Sequence, residues 1–230
     1  MNVSPNPFHA SYSGVTKNKP ERIQNVHDYY PTPPIATCAL LKHFGQCIGD
    51  DIWELAAGRG WIVKELERSY DKNSKITATD IHLYDNPICN TPIQQHDFLD
   101  FENIDYTKFS ALITNPPYKS NLSFKFAQLA LYYKIPFIAL LQRLTFVEGE
   151  RRYKELFAKN PPTDVLLVNR LCVDEGSNIE NIMKNQQRGM IVYAWYIWTN
   201  PENNLKQTKL HWSDMKSIYA EWREKYKDGY

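Results

Sequence analysis

Short continuous runs of apolar residues alternate along the chain with stretches in which apolar residues recur at helical spacing. A continuous run is typical of a strand buried on both faces, and recurrence every three to four residues is typical of a helix packed on one side. The runs predict strands over residues 51–56, 76–79, 111–114, 136–141, 165–168 and 190–198. The spacing predicts helices over residues 35–44, 61–70, 122–133 and 150–159, and a C-terminal helix that runs to about residue 225.

Two of these helices begin at residues that favour a helix start. Thr32 stands directly before Pro33, so we expect Thr32 to be the N-cap and Pro33 the first helical residue. Ser213 stands before the last helical stretch and predicts its N-cap in the same way.

The alternation of strands and helices predicts an α/β fold with a mostly parallel sheet and helices on both faces. A chain of 230 residues has room for about one domain. Residues 1–28 are rich in Asn, Pro, Ser and Lys, which predicts a flexible N-terminal arm ahead of a single domain over residues 29–230. We expect His27, Asp28 and Tyr29 to act as part of this arm or in capping rather than to line a pocket.

Composition excludes several classes of protein. The chain is 43% hydrophobic and 23% charged, which is ordinary globular usage and excludes a disordered chain or a coiled coil. The formal net charge of +1 excludes a histone-like polycation, so a polyanionic partner would have to be met by a local basic patch. The four cysteines form no CxxC pair, and we therefore expect neither a metal site nor a disulfide framework.

The chain also lacks the signals of export and membrane insertion. Its first 25 residues contain no apolar segment like that of a signal peptide. The longest apolar run, residues 190–198, is about half of the ~20 residues that a membrane-spanning helix needs. We expect a soluble cytoplasmic protein that makes no contact with membranes.

Candidate functional residues follow several of the predicted strands. In open α/β sheets, ligands bind beyond the carboxyl ends of the strands. The groups that the sequence places there are Glu54 with Gly58 and Gly60, then Asp80, the stretch 96–98, and the tetrapeptide 115–118. We expect all of them to face one crevice.

The first of these groups indicates a nucleoside ligand without phosphate. Gly58 and Gly60 lie at a strand-to-helix turn, where glycine permits positive φ and close approach of a ligand to the backbone. Asp80 follows about 20 residues later, a distance that suits an acid bound to ribose hydroxyls. The loop has neither the third glycine of GxGxxG nor a GK[ST] sequence, and Glu54 would repel a phosphate. A ligand with an amino group, a ribose and no phosphate fits better, and S-adenosylmethionine is such a ligand.

The tetrapeptide Asn115-Pro116-Pro117-Tyr118 suits chemistry on a planar amine. Such a nitrogen is a poor nucleophile because its lone pair is delocalised. Two acceptors on its N–H bonds would favour the pyramidal form, and the Asn115 side-chain oxygen and the Pro116 carbonyl can supply them. Tyr118 offers a flat face on which a base can stack.

With these residues in place, the chain resembles the S-adenosylmethionine-dependent DNA N6-adenine methyltransferases, and most closely the short forms of bacteriophages and mobile elements. The resemblance covers about residues 29–198 and implies a Rossmann-like class I methyltransferase fold with a seven-stranded sheet. Asn115, Pro116, Pro117 and Tyr118 match the catalytic tetrapeptide of the family without alteration. The stretches 143–151 and 193–198 resemble the phage-type members.

The resemblance also implies a set of cofactor-binding residues. Residues 30–33 resemble the segment that contacts the methionine part, residues 54–60 resemble the cofactor loop, and Asp80 resembles the ribose-binding acid. Asp97 and Phe98 resemble the pair that holds the adenine. The implied S-adenosylmethionine contacts are Tyr30, Pro31, Thr32, Glu54, Ala56, Gly58, Gly60, Asp80, Ile81, Asp97, Phe98 and Asn115.

DNA is the implied partner, and a duplex would require base flipping. Between residues 119 and 159 eight positive residues stand against three acids, which favours phosphate contact. Many members of the family carry a separate target-recognition domain, for which this chain leaves little room. Recognition is therefore expected from the loop 174–188, from the arm and C-terminal helix, or from a partner chain or dimer.

Two alternatives keep the same residues. Similar tetrapeptides serve enzymes that methylate RNA bases or a protein glutamine, whose amide has the same NH2 geometry. A chain that binds without turnover, as one subunit of a larger methyltransferase, is the other alternative. An intact tetrapeptide and an intact cofactor acid disfavour that second alternative.

Overall fold

A computed structural model describes residues 28–70, 74–100, 105–171, 183, 189–201 and 207–226. The predicted arm therefore lies outside the described residues except for Asp28. The predicted recognition loop 174–188 also lies outside them, except for Met183.

The described residues form one eight-stranded sheet. Its strands are β1 (Asp51–Glu54), β2 (Lys75–Asp80), β3 (Ile93–Gln95), β4 (Ala111–Thr114), β5 (Phe137–Arg143), β6 (Asp164–Arg170), β7 (Val192–Thr199) and β8 (Lys209–Trp212). The strand order is β3-β2-β1-β4-β5-β7-β6-β8. Neighbouring strands are parallel except at β7, which is antiparallel to both β5 and β6. The predicted mostly parallel sheet is confirmed.

Helices cover both faces of this sheet, as predicted. They are α1 (Pro34–Phe44), α2 (Trp61–Ser69), α3 (Leu122–Tyr132), α4 (Glu150–Arg152) and α5 (Met215–Lys225). Buried side chains of α1, α2 and α5, among them Leu40, Leu66 and Ile218, share one core layer with the sheet. Those of α3, such as Phe124 and Ala127, lie in the layer on the opposite face.

Strand β7 shows why the apolar runs predicted strands correctly. Tyr193 and Trp195 belong to one core layer, whereas Ala194, Tyr196 and Trp198 belong to the other. The Trp195 and Trp198 indoles donate to the carbonyls of residue 36 in α1 and residue 160 after α4, at 2.8 and 3.0 Å. Both faces are buried, so no polar alternation is visible in the sequence.

The sheet has one strand more than the seven that the family resemblance implies, and two more than the six that the hydrophobic pattern predicts. The two strands that the pattern misses, β3 and β8, lie at the two edges of the sheet. Their residues are mostly exposed or half-buried. An edge strand that buries little surface needs no apolar run, and so the pattern gives no signal for it.

Both capping predictions are wrong. Pro33 is the N-cap of α1, and Pro34 is its first residue. The Asp214 carboxylate, not Ser213, caps α5 by accepting from the Lys216 and Ser217 amides. A carboxylate one residue further on reaches the free amides of the first turn, and this contact decides the helix start.

The predicted helix over residues 150–159 is also only partly α-helical. Beyond Arg152 the chain continues as a π-helical segment over Tyr153–Phe157. Within this segment Leu156 is fully buried, whereas Tyr153 is exposed. Hydrophobic spacing predicts that this stretch is helical but does not distinguish the two helix types.

Trp53 of β1 is a fully buried indole, and its substitution measures how much this side chain contributes to the stability of the core. Its side chain is 0% exposed, donates to the Thr79 hydroxyl at 2.9 Å and stacks on Phe109. We expect Trp53→Ala to lower the free energy of unfolding by about 3–5 kcal/mol, measured by urea titration with circular dichroism. Trp212→Ala is the matched control, because Trp212 is 63% exposed and its loss should cost less than ~0.5 kcal/mol. Equal costs for the two variants would contradict this assignment of the core.

Candidate active site

An open cavity lies at the carboxyl ends of β1, β2 and β4, with a volume of about 950 Å³ that includes the solvent-open space at its mouth. Predicted site residues that line it are Tyr30, Thr32, Ala56, Asp80, Ile81, Asp97, Phe98, Asn115 and Pro117. Residues from distant parts of the chain thus meet beyond the strand ends, where ligands bind in open α/β sheets. Other predicted site residues are not among those that line the cavity: Pro31, Glu54, Gly58, Gly60, Pro116 and Tyr118.

Asp28 and Tyr29 were expected in an arm or capping role rather than in a pocket, but both line the cavity. Tyr84 and the α3 residues Leu122 and Phe126 line it as well and were not predicted. Their side chains carry no chemistry that distinguishes them in the sequence. Only the packing of α3 and of the loop after β2 brings them to the site.

The two loop glycines have the predicted backbone conformation, with φ of +55° at Gly58 and +89° at Gly60. The space beside each is filled by protein. A Cβ on Gly58 would lie 2.2 Å from the Tyr29 ring, and one on Gly60 would lie 2.3 Å from the Cys89 sulfur. The side chains that approach these glycines closely are therefore Tyr29 and Cys89 and not a ligand. The absence of a side chain at Gly58 leaves space for the Tyr29 ring, which lines the cavity.

Asp80 joins the glycine loop to the end of β2. One carboxylate oxygen accepts from the Gly58 amide at 2.7 Å, and the other accepts from the His82 amide at 2.9 Å. The side chain is largely buried and lines the cavity. Asp80 therefore fixes the glycine loop at the wall of the cavity.

Glu54 ends β1 and is fully buried. Its Oε1 accepts from the Thr114 hydroxyl at 2.6 Å and from the Ala56 amide at 3.1 Å. Its Oε2 is buried and accepts no hydrogen bond from the described residues. Burial raises the pKa of this carboxyl group to about 8, because removal from water disfavours the charged form.

Residues 96–98 form another part of the wall. Phe98 is buried and packs against Trp53 and Phe126, with ring centroids 5.5 and 4.6 Å apart. The exposed Asp97 accepts from the Leu99 amide at 2.9 Å, which fixes the local turn. Next to them, the buried Nε2 of His96 has no hydrogen-bond partner among the described residues.

The Asn115 side chain is held in one orientation. Its amide nitrogen donates to the Tyr30 carbonyl at 3.1 Å and to the Thr32 hydroxyl at 3.0 Å. Its oxygen accepts from the Tyr118 hydroxyl at 2.5 Å. Both amide hydrogens are therefore used within the protein, and the second lone pair of the oxygen is left for a ligand. The Thr32 hydroxyl serves here and not as a helix cap.

The two proline carbonyls differ in their hydrogen bonding. Pro117 accepts from the Ser123 hydroxyl at 2.8 Å. The Pro116 carbonyl accepts no hydrogen bond from the part of the chain that the structure describes. Neither residue has an N–H, so the turn presents acceptors without competing donors.

The Tyr118 ring is half-buried and is not among the residues that line the cavity. It lies 5.6 Å from the Tyr30 ring and 6.3 Å from the Tyr193 ring, and the Arg143 guanidinium lies 5.2 Å from its centroid. Burial raises the pKa of its hydroxyl well above the ordinary value. The phenol therefore stays neutral and donates to Asn115.

The basic stretch after the tetrapeptide is partly neutralised within the protein. Arg151 pairs with Glu155 at 3.1 Å, and Lys154 pairs with Glu150 at 2.5 Å. Arg152 donates to the Phe146 carbonyl at 2.8 Å. The Arg143 guanidinium lies beside the Tyr118 ring of the tetrapeptide, and its buried Nε has no hydrogen-bond partner among the described residues.

Comparison with solved structures shows the fold. No protein-family model matches the sequence, and no curated protein matches it. A type I restriction-modification methyltransferase subunit from Streptococcus thermophilus has a TM-score of 0.55 and 14% identity, and the match covers 87% of this chain and 53% of that one. A modification subunit of a proposed type I restriction enzyme from Vibrio vulnificus YJ016 has a TM-score of 0.55 and 14% identity, and the match covers 88% of this chain and 54% of that one.

A proposed RNA methyltransferase from Pyrococcus horikoshii has a TM-score of 0.53 and 15% identity, with 76% of this chain and 87% of that one covered. The sheet and its flanking helices are therefore a Rossmann-like class I methyltransferase fold, as expected. The chain spans about half the length of the type I subunits that it matches. No helix among the described residues could cross a membrane, and no metal-ligating cluster occurs among them.

Glu54 predicts a specific pH dependence of stability. Its pKa is raised from 4.5 to about 8, so the folded state binds this proton more tightly than the unfolded state. The contribution of Glu54 is complete below pH ~4.5 and is lost as the pH rises through ~8. The stability of wild type relative to Glu54→Gln should therefore fall between pH 5 and pH 8.5, measured by urea unfolding. Glu148→Gln, at an exposed position, should leave the wild-type trend in place. A Glu54→Gln variant with that same trend would contradict the assignment.

Proposed function

We propose that this protein transfers a methyl group from S-adenosylmethionine to the N6 amino group of adenine in DNA. The orientation of the Asn115 amide carries this proposal. Its nitrogen is committed to residues 30 and 32, so its oxygen is the atom left to meet a ligand. An acceptor held in this way at the wall of a nucleoside-sized cavity suits an exocyclic amine.

The residues present fit the cofactor. The Oε2 of Glu54 is buried beside the loop that lines the cavity, and once this carboxyl group is ionised it is an acceptor that suits an ammonium group. Asp80 offers acceptors for ribose hydroxyls, and Asp97 with Phe98 offers an acceptor and an apolar ring for adenine. Tyr30, Thr32, Ala56 and Ile81 complete the wall, and Pro31, Gly58 and Gly60 belong to the same segments. When bound, S-adenosylmethionine supplies a methyl group on a positively charged sulfur.

The chain's own residues prepare the nitrogen that is methylated. Asn115 Oδ1 and the Pro116 carbonyl each accept one N–H of the target amine. These two bonds favour the pyramidal nitrogen and aim its lone pair into the cavity. Since Thr32 and Tyr30 fix the amide beforehand, little reorganisation is needed at the moment of transfer.

Recognition of DNA is proposed to involve the surface beside the tetrapeptide. A duplex adenine must leave the stack to reach the cavity. The Tyr118 ring would then stack on the flipped base, with the Arg143 guanidinium behind it. Because two of the matched structures are subunits of type I systems, we propose that a partner chain or a second copy contributes to target recognition.

The direct test offers labelled S-adenosylmethionine with unmethylated genomic DNA, total RNA or cell protein. Label recovered from DNA as N6-methyladenine supports the proposal. Label in RNA bases or in protein glutamine would show that the same chemistry on an NH2 group acts on a substrate other than DNA. Cofactor binding without label in any pool would favour a subunit that needs a partner.

Asn115→Ala removes the acceptor without removing the cavity. We expect kcat to fall about 10²–10³-fold, the cost of losing one oriented group in a transition state. Binding of S-adenosylhomocysteine, measured by calorimetry, should change less than about threefold. Asn160→Ala, at an exposed site after α4, is the control and should keep wild-type activity. Loss of S-adenosylhomocysteine binding in Asn115→Ala would count against this role.

Tyr118 substitutions separate its ring from its hydroxyl. Tyr118→Phe keeps the stacking face, and Asn115 remains fixed by two other hydrogen bonds. We therefore expect kcat/KM for DNA to stay within about fivefold of wild type. Tyr118→Ala should lower it by about 5–150-fold, since base stacking is worth ~1–3 kcal/mol. An equal loss in both variants would assign the role to the hydroxyl instead of the ring.

A further inference from the structure

The catalytic tetrapeptide has an anchor that its own sequence does not contain. Pro116 and Pro117 have no N–H, so the first backbone donors after Asn115 are the amides of Tyr118 and Lys119. Both donate to the same oxygen of Asp28, at 2.5 and 2.8 Å. A residue about ninety positions earlier in the chain therefore holds the turn directly after the prolines.

Asp28 is built into this position. It is 8% exposed, and its backbone has φ of +53°, a left-handed conformation that few residues other than glycine adopt. Asp is one of the residues that tolerate it. A buried carboxylate needs strong donors, and two backbone amides supply charge-assisted bonds. The same residue also lines the cavity.

The bonds of Asp28 complement those on the other side of the prolines. Tyr30 and Thr32 hold the Asn115 amide ahead of the prolines, and Asp28 holds the two amides behind them. The Pro116 carbonyl lies between these two anchors. Its direction depends on both, because proline fixes only φ.

We propose that Asp28 is a positioning residue for methyl transfer, which sets the Pro116 carbonyl and the Asn115 oxygen at the spacing that the target amine requires. This inference rests on the proposed function. Asp28 acts through the backbone of the tetrapeptide. The cofactor contacts proposed for Asp80 and Phe98 do not depend on it.

The test compares Asp28→Ala with Asp28→Asn in the full chain. The Ala variant should lower kcat about 10²-fold, the scale of a misplaced catalytic group. KM for DNA and the Kd of S-adenosylhomocysteine should each change less than about threefold. The Asn variant keeps an oxygen that can accept both amides, and it should recover kcat to within about tenfold of wild type. A kcat unchanged in Asp28→Ala would overturn the proposal.

Asp214→Ala is the matched control. Asp214 also accepts two backbone amides with one oxygen, but at the start of α5. Its loss should lower the melting temperature and leave kcat unchanged. If both Ala variants lost kcat in proportion to stability, Asp28 would be a structural residue only.

Amide hydrogen exchange separates this inference from the proposed function. The Tyr118 and Lys119 amides should exchange at least about tenfold faster in Asp28→Ala than in wild type, while the buried amides of β4 stay protected. If wild type methylates none of the three pools but this exchange difference is present, the proposed function is wrong, whereas the hydrogen bonds from the Tyr118 and Lys119 amides to Asp28 are supported. Equal exchange in both proteins would contradict these hydrogen bonds themselves.

Discussion

The site depends on the two hydrogen bonds that the Asn115 amide nitrogen donates to the segment ahead of α1. They join the end of β4 to residues more than eighty positions earlier in the chain. Without these bonds an asparagine side chain can present either its oxygen or its NH2 group to a ligand. Because both hydrogens are satisfied inside the protein, the Asn115 oxygen is an acceptor of fixed direction at the cavity, next to the carbonyl of Pro116.

Buried acids organise the rest of this edge of the sheet. Glu54 bridges β1 and β4 through Thr114, and Asp80 connects β2 to the loop that follows β1. Removing a carboxyl group from water is costly, and the raised pKa of Glu54 reflects that cost. Such a cost is acceptable where a cationic ligand can offset it. This is the physical reason why we propose a positively charged cofactor at Glu54 and not a ligand with phosphate groups.

The hydrophobic pattern was sufficient for the elements with deep burial. Strand β4 was predicted with its observed bounds, and β5 and β7 within a few residues, because all three are buried on both faces. It failed where burial is slight or where a local contact decides. The edge strands β3 and β8 carry no apolar run. The helix starts at Pro34 and Met215 were set by chain geometry and by one carboxylate.

The sequence by itself determined the α/β architecture and the edge of the sheet at which the acids and the tetrapeptide meet. Periodicity and residue type record these features because burial and the positions of strand ends are local properties. Only the tertiary structure decided that Asp28 and Tyr29 enter the site and that Thr32 holds Asn115 instead of capping a helix. It also showed that Tyr29 fills the space beside Gly58. These contacts join residues about thirty to ninety positions apart, and such pairings leave no trace in local spacing because they arise only when the chain closes on itself.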